Sequence, residues 1–381
     1  MEVRQWLNDV PTPCYVIDEA AVEGNLRVID SIRRDSGCGI LLALKAFAAP
    51  DLFPLMRRYL RGVTASSLNE ARLGFEEFGG EIHICCPAYR PDEFGEIIRF
   101  ADHVVFNSFS QYRRFSPLVE SARRKIEQGI RINPEHSEVE TRIYDPCREC
   151  SRLGVTSAEF DYENAGNIAG LHFHSLCEKN SDALARTLEA VEKRFAPLLE
   201  KVKWVNLGGG HHITREDYNR GLLCELINGL AGRYGVKVYL EPGEAVVLNA
   251  GVMAASVLDI VHNRMDIAVL DASASAHMPD VIEMPYRPDI VGAAPAGELP
   301  HTYRIAGNTC LAGDIIGDYS FGKPLKIGDR LALTDMAHYT IVKNTTFNGI
   351  NLPSIAVVRQ GSGKAEVVRR PGYGDYRARQ G

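Results

Sequence analysis

Lys45 closes the apolar run Ile40-Leu41-Leu42-Ala43-Leu44, and an amine in such surroundings has two chemistries open to it. It can snorkel to solvent from a strand terminus. It can also stand in a dry pocket, where desolvation favours the neutral nucleophile that condenses with an aldehyde cofactor. Other constellations bear on that choice. His172 and His174 flank Phe173, so in a strand both imidazoles point to one side, a spacing that also suits metal ligands. Gly208-Gly209-Gly210 allows main-chain N–H groups to approach an anion closely, or serves as a flexible turn. Glu241, in Tyr239-Leu240-Glu241-Pro242-Gly243, is a carboxylate able to pair with a ring nitrogen and keep it protonated, or a surface acid before a proline turn. Cys147-Arg148-Glu149-Cys150 has the spacing of half a zinc site or a redox pair, yet no second pair follows at ligand distance. His211 and His212, beside the glycines, are loop histidines.

These residues need a frame. Short apolar runs at 40–47, 62–66, 82–86, 103–107, 129–133, 168–174, 203–207 and 236–241 predict eight strands buried on both faces, with helical patterns in most of the gaps. That rhythm matches a (β/α)8 TIM-like barrel, with a doubly wound open sheet as the alternative. A helix over 18–34 precedes most of it, with Asp18 as N-cap and Val22, Leu26, Ile29 and Ile32 as its apolar face. Beyond Gly243, valine-rich segments at 245–252, 266–270 and 330–333 separated by Gly and Pro clusters predict a mostly β C-terminal domain, which the first dozen residues join. The expected division is a barrel over 18–244 and a β-rich second domain from 1–17 and 245–381.

Catalytic residues of such barrels lie at the C-terminal ends of the strands. Lys45 ends the first expected strand, His172 to Ser175 the sixth, the glycine triplet the seventh and Glu241 the eighth. One rim therefore collects an amine for an aldehyde, glycines for a phosphate and an acid for a pyridine nitrogen, which together suit pyridoxal phosphate. A metal-hydrolase reading of His172 and His174 needs further His and Asp ligands. The remaining strand ends offer Ser66, Ser67, Cys86, Asn107 and Asn133 instead.

The totals exclude several classes. At 381 residues the chain can hold two well-developed cores. A net charge of −6 without basic blocks argues against nucleic acid as a partner. No apolar run approaches the roughly 20 residues of a membrane span, and Met1-Glu2-Val3-Arg4 lacks the apolar core of a secretory signal, so a cytoplasmic location is expected. Nine cysteines without framework spacing fit reduced thiols there.

Motifs run in order along nearly the whole chain: Pro11-Thr12-Pro13 with Tyr15-Val16-Ile17-Asp18, Leu42-Ala43-Leu44-Lys45-Ala46, Ser66-Ser67-Leu68-Asn69-Glu70, the histidine strand with Ser175, the glycine triplet, Glu241-Pro242-Gly243, Cys310-Leu311-Ala312-Gly313-Asp314 and Ala337-His338-Tyr339-Thr340. On these residues the chain resembles the fold-type III pyridoxal phosphate decarboxylases, the alanine racemase-like group that includes diaminopimelate, ornithine and arginine decarboxylases. Within that group it is most similar to the enzymes that act on carboxylated polyamines.

The resemblance implies that Lys45 holds the cofactor aldehyde, His172 stacks on the ring, Glu241 pairs with the ring nitrogen, and Ser175, Gly209, Gly210 and Tyr339 hold the phosphate. It also implies a homodimer in which Cys310 and Asp314 reach the partner's site, with Cys310 or Lys45 returning a proton to the substrate carbon. One departure stands out. Glu244 occupies a position where ornithine and diaminopimelate decarboxylases usually carry arginine. A carboxylate there suits the ammonium groups of a carboxylated polyamine substrate, with Asp280 as a second candidate acid and Asp271 and Glu283 behind it. The alternatives are a diaminopimelate or basic amino acid decarboxylase of the same fold and, from another class, a non-catalytic pyridoxal phosphate carrier. A carrier is close to a bare barrel, and the β-rich C-terminal part counts against it.

Overall fold

The computed structural model describes residues 6–381, so expectations placed on the first five residues lie outside the described residues. Contacts divide the chain into two units, Asn25–Val246 and, together, Met1–Gly24 with Val247–Gly381. Strand β1 (Cys14–Asp18) leads directly into a helix over Glu19–Ser36. The Asp18 carboxylate caps it by accepting from the amides of Ala20 and Ala21. Val22, Leu26, Ile29 and Ile32 form its buried stripe.

Eight parallel strands follow: β2 (Gly39–Ala43), β3 (Gly62–Ala65), β4 (Glu81–Cys85), β5 (His103–Phe106), β6 (Glu127–Arg131), β7 (Gly170–His172), β8 (Trp204–Asn206) and β9 (Lys237–Leu240). They pair in chain order and close into a barrel where Gly39 and Ile40 of β2 meet Tyr239 and Leu240 of β9. Helices in the gaps start at residues suited to the task. Ser67 and Ser108 each accept an amide proton at N3 with the side-chain hydroxyl. Trp204 fills part of the interior, and β6 and β7 make room for it. A Cβ on Gly129 or Gly170 would lie 2.4 or 2.0 Å from the indole, so a strand residue larger than glycine is excluded at both places.

Six of the eight barrel strands are shorter than the apolar runs suggest, while β4 and β6 keep the expected length but start one and two residues earlier. β2 ends at Ala43 rather than running through Lys45. Leu44 N still donates to Thr64 O, after which Ala46 N turns back to Ala43 O, leaving Lys45 on a tight turn. The segment 245–252, expected as β structure, is also corrected. Glu244–Val247 forms a helical turn and the strand begins only at Gly251. Local valine propensity yields there to the turn that Pro242-Gly243 starts, with Glu244 favoured in the first helical turn.

The second unit is a nine-stranded sheet. β1 lies between β10 (Gly251–Asn263) and β16 (Ser354–Val358), antiparallel to the first and parallel to the second. On one side the order continues from β10 through β11 (Met265–Leu270), β13 (His301–Ala306) and β14 (Ile315–Phe321) to β12 (Ala293–Pro295). On the other it ends at β17 (Ala365–Arg369), while β15 (Arg330–Thr334) also pairs with β10. Tyr15, Met253, Val257, Leu270, Ile305, Ile316 and Leu333 share its main core.

Candidate active site

Past the C-terminal ends of the barrel strands lies a cavity of about 410 Å³. Lys45, Thr64, Cys85, Arg131, His172, His174 and Glu241 line one side, and the loop around Tyr144, Arg148 and Arg152 lines the other. Lys45 Nζ is 3.2 Å from His174 Nε2. His174 is held in turn by the glycine turn, with its Nδ1 3.1 Å from both Gly209 N and Gly209 O. His172 Nε2 is 3.2 Å from Glu241 Oε2. Asn206 Nδ2 donates to the other carboxylate oxygen at 2.7 Å, and Asn206 Oδ1 accepts from Gly208 N at 2.9 Å. The carboxylate is thereby tied to β7, to β8 and to the glycine turn at once.

The electrostatics follow from this packing. The Lys45 amine is reached from the cavity while protein surrounds the rest of the side chain. Burial is the largest influence and moves its pKa below the usual lysine value, against the pull of Glu241. Burial is likewise the largest single influence on His172 and Glu241 and opposes their charges, but their mutual attraction, joined by Cys85 acting on His172 and by His83 and Thr64 acting on Glu241, outweighs it. His172 is pushed up to about 9, and Glu241 is held well below the usual carboxylate range. His174, buried and beside the Lys45 amine, is held well below the ordinary imidazole value. The site thus keeps an ionised carboxylate and a neutral imidazole beside an amine eased toward neutrality.

The glycine turn has the shape of an anion cradle. Gly208 and Gly210 take positive φ of 70° and 81°, and a Cβ on Gly210 would meet Leu176 O at 2.0 Å. Ser175 is fully buried, and its hydroxyl has no hydrogen-bond partner among the described residues. An orphaned hydroxyl on the segment that meets this turn fits a group carrying phosphate. Glu244 lies with its carboxylate 3.0 Å from His212 Nε2, and Glu178 completes a cluster whose ligand atoms lie within 4.8 Å of one another.

The remaining expected residues stand in the sheet unit. Asp280 and Glu283 both bind the Lys343 ammonium. Asp314 is buried and accepts from Ser273 Oγ at 2.8 Å, Thr309 Oγ1 at 2.5 Å and the amides of Thr309 and Ser275. It therefore orders the loop that presents Cys310 and Leu311, both exposed. Tyr339 adopts a positive φ of 53°.

Two site residues, Asn206 and Arg131, went unremarked in the sequence. Glu70, quoted there only within its motif, serves the rim by accepting from Ser66 N at 2.6 Å. The signal for Asn206 was its place as the polar last residue of an apolar strand, two before the glycines. Arg131 had no such signal, since it closes a strand of mixed composition, Glu127–Arg131. His174, rather than His172, is the imidazole that reaches Lys45.

An amine, an ionised carboxylate and a glycine cradle on one rim of a (β/α)8 barrel suit a carbonyl cofactor with a phosphate handle. A family model described as "Pyridoxal-dependent decarboxylase, C-terminal sheet domain" matches residues 14–337. The chain belongs to this pyridoxal-dependent decarboxylase family. It is 42% identical over 97% of its length to the carboxynorspermidine/carboxyspermidine decarboxylase of Campylobacter jejuni, of which 98% is covered. It is equally 42% identical to the carboxyaminopropylagmatine decarboxylase of Synechocystis, over 98% of this chain and 97% of that one. A crystal structure of carboxynorspermidine decarboxylase from Campylobacter jejuni complexed with norspermidine superposes with a TM-score of 0.90 at 41% identity, covering 97% of this chain and all of that one. Among the described residues no helix is long and apolar enough to cross a membrane.

Proposed function

We propose that this chain binds pyridoxal phosphate at Lys45 and decarboxylates a carboxylated polyamine, carboxynorspermidine or carboxyspermidine. The observation that carries the reading is the placing of Lys45 beside His174 and of Glu241 beside His172 in one cavity, in a chain so similar to decarboxylases of that name. When bound, the cofactor supplies an electron sink for the pair left behind as carbon dioxide departs. The chain's own residues prepare for it. Lys45, its amine eased toward neutrality, would hold the cofactor through its aldehyde. Glu241, kept ionised by His172 and Asn206, would hold a proton at the ring nitrogen. Gly209, Gly210 and the Ser175 hydroxyl would hold the phosphate, with Tyr339 as a further donor. His172 would stack on the ring, with His174 beside the Lys45 amine.

Substrate selection is assigned to Glu244, which with Glu178 offers carboxylates to a polyamine ammonium, and to Asp280 as a second acid. A homodimer is proposed in which the Cys310 loop, ordered by Asp314, completes the partner's site, and Cys310 or Lys45 returns a proton to the substrate carbon. A guanidinium-tailed substrate is the second reading, because the carboxyaminopropylagmatine decarboxylase is equally similar. Carbon dioxide release from carboxynorspermidine, carboxyspermidine, carboxyaminopropylagmatine and diaminopimelate, measured side by side, tests the proposal. Turnover confined to the first two is expected. Preference for the guanidinium substrate would replace the reading with the second one, and preference for diaminopimelate would remove Glu244 as a selector.

A further inference from the structure

The cavity holds a nucleophile that the proposed reaction does not use. Cys85, the last residue of β4, lines it together with Lys45, His172 and Glu241. Its neighbour Cys86 is buried and donates its thiol proton to Ser66 O at 2.9 Å. Charged and titratable groups surround Cys85: His172 from β7, Arg131 from β6, Glu241 past β9, Lys45 past β2 with Glu70 acting on it from the helix after β3, and Tyr89 and Cys86 from its own segment.

His172 matters most. It is 3% exposed and lines the same cavity as Cys85. With Nε2 turned to Glu241, its Nδ1 has no hydrogen-bond partner among the described residues. Burial works against a thiolate at Cys85, but His172 and then Arg131 outweigh it and bring the thiol below its ordinary pKa. The thiols of Cys38, Cys147 and Cys177 move the other way, pushed up to about 11 by burial.

We propose that Cys85 is a covalent modification site inside the cavity, a thiol that shares its lining with His172 and is open to small soft electrophiles such as haloacetamides and α,β-unsaturated carbonyls. With a haloacetamide, the thiol proton leaves to water, the sulfur electron pair, steadied by the cationic His172, forms the C–S bond and halide leaves. With an enone, sulfur adds to the β-carbon and the α-carbon receives a proton from water. An adduct there fills space beside Lys45 and excludes the cofactor, a consequence that rests on the proposed cofactor site.

The test is brief labelling of the full-length protein with limiting iodoacetamide at pH about 6.5, roughly two units below an ordinary thiol. Peptide mass mapping then reports each cysteine, with the exposed Cys150 and Cys310 as references. Cys85 is expected to label about threefold or more faster than either reference, since thiolate fraction outweighs the loss of nucleophilicity. In His172→Asn it is expected to fall to their rate while Cys310 labelling is unchanged. The pH profile of Cys85 labelling supplies a second readout in the unaltered chain, and its midpoint should lie below about 8.5. A Cys85 rate no faster than Cys310, or a midpoint at or above that of an ordinary thiol, would overturn the proposal. Preloading with pyridoxal phosphate should protect Cys85. Fast labelling without protection would keep the thiol as proposed and count against the cofactor site instead.

Discussion

Two histidine–glutamate pairs sit at opposite ends of the same barrel, and they do different things. At the N-terminal end His83 Nε2 is 3.5 Å from a Glu81 carboxylate oxygen. Arg61 at 2.6 Å and the Tyr239 hydroxyl at 3.0 Å already hold that carboxylate. The His83 ring stacks on His103 with centroids 3.8 Å apart and planes within 11°. Trp204 and Tyr239 close over both. Near-parallel rings send their nitrogen lone pairs side by side rather than to one point, so this end reads as packing and not as a metal site. At the C-terminal end the His172–Glu241 pair opens into the cavity that Lys45 shares. Chemistry comes from an ion pair that faces space and a nucleophile; the same pair under aromatic cover is a plug.

The contrast can be broken in order of effect. Lys45→Ala should lower turnover by at least about a thousandfold and abolish the visible band of bound cofactor, while unfolding in urea stays near that of the parent. Trp204→Ala should do the opposite. Loss of a fully buried indole costs on the order of 3–5 kcal/mol, seen as a lower denaturant midpoint, and the cofactor band persists in whatever fraction is folded.

Titration separates the two ends by sign. Burial first, and His83 next, hold His103 down at about 2. Between about 6.5 and that value the unfolded chain binds a proton that the folded chain refuses, so stability falls as pH falls, by about 1.4 kcal/mol per unit. His172 is raised to about 9, so it stabilises fully below about 6.5 and loses that contribution as pH rises through about 9. Urea titrations across pH should therefore show His103→Phe flattening the acid limb and His172→Asn the alkaline limb. Unchanged limbs would contradict the assignments. The smallest effect is expected at Lys237, which stacks on Tyr239 at 4.4 Å from a partly exposed position. Lys237→Met should cost under about 1 kcal/mol and leave turnover alone.

The barrel was legible because strands buried on both faces are written as short apolar runs, and because Lys45, the glycines and Glu241 interrupt three of them at the same end. Strand ends were less legible. The run through Phe47 stays apolar after the ladder stops at Ala43, because Leu44, Ala46 and Phe47 are buried in a turn rather than a strand. The division of labour between His172 and His174 was invisible. Period two puts both on one side, and both line the cavity, but only the folded positions of Glu241 and Lys45 decide which imidazole meets which. The plug at the other end escaped notice because His83 and His103 sit within strands whose apolar pattern hides them. Valine propensity at 245–252 misled for the opposite reason, a local signal overridden by the turn before it.

The central claim is that the rim around Lys45 is the cofactor site. Borohydride reduction of the protein loaded with pyridoxal phosphate, followed by peptide mapping, tests it most directly. A single pyridoxyl group on the peptide carrying Lys45 is the predicted result, lost in Lys45→Ala; a label on another lysine, or none despite a bound-cofactor band, would contradict it.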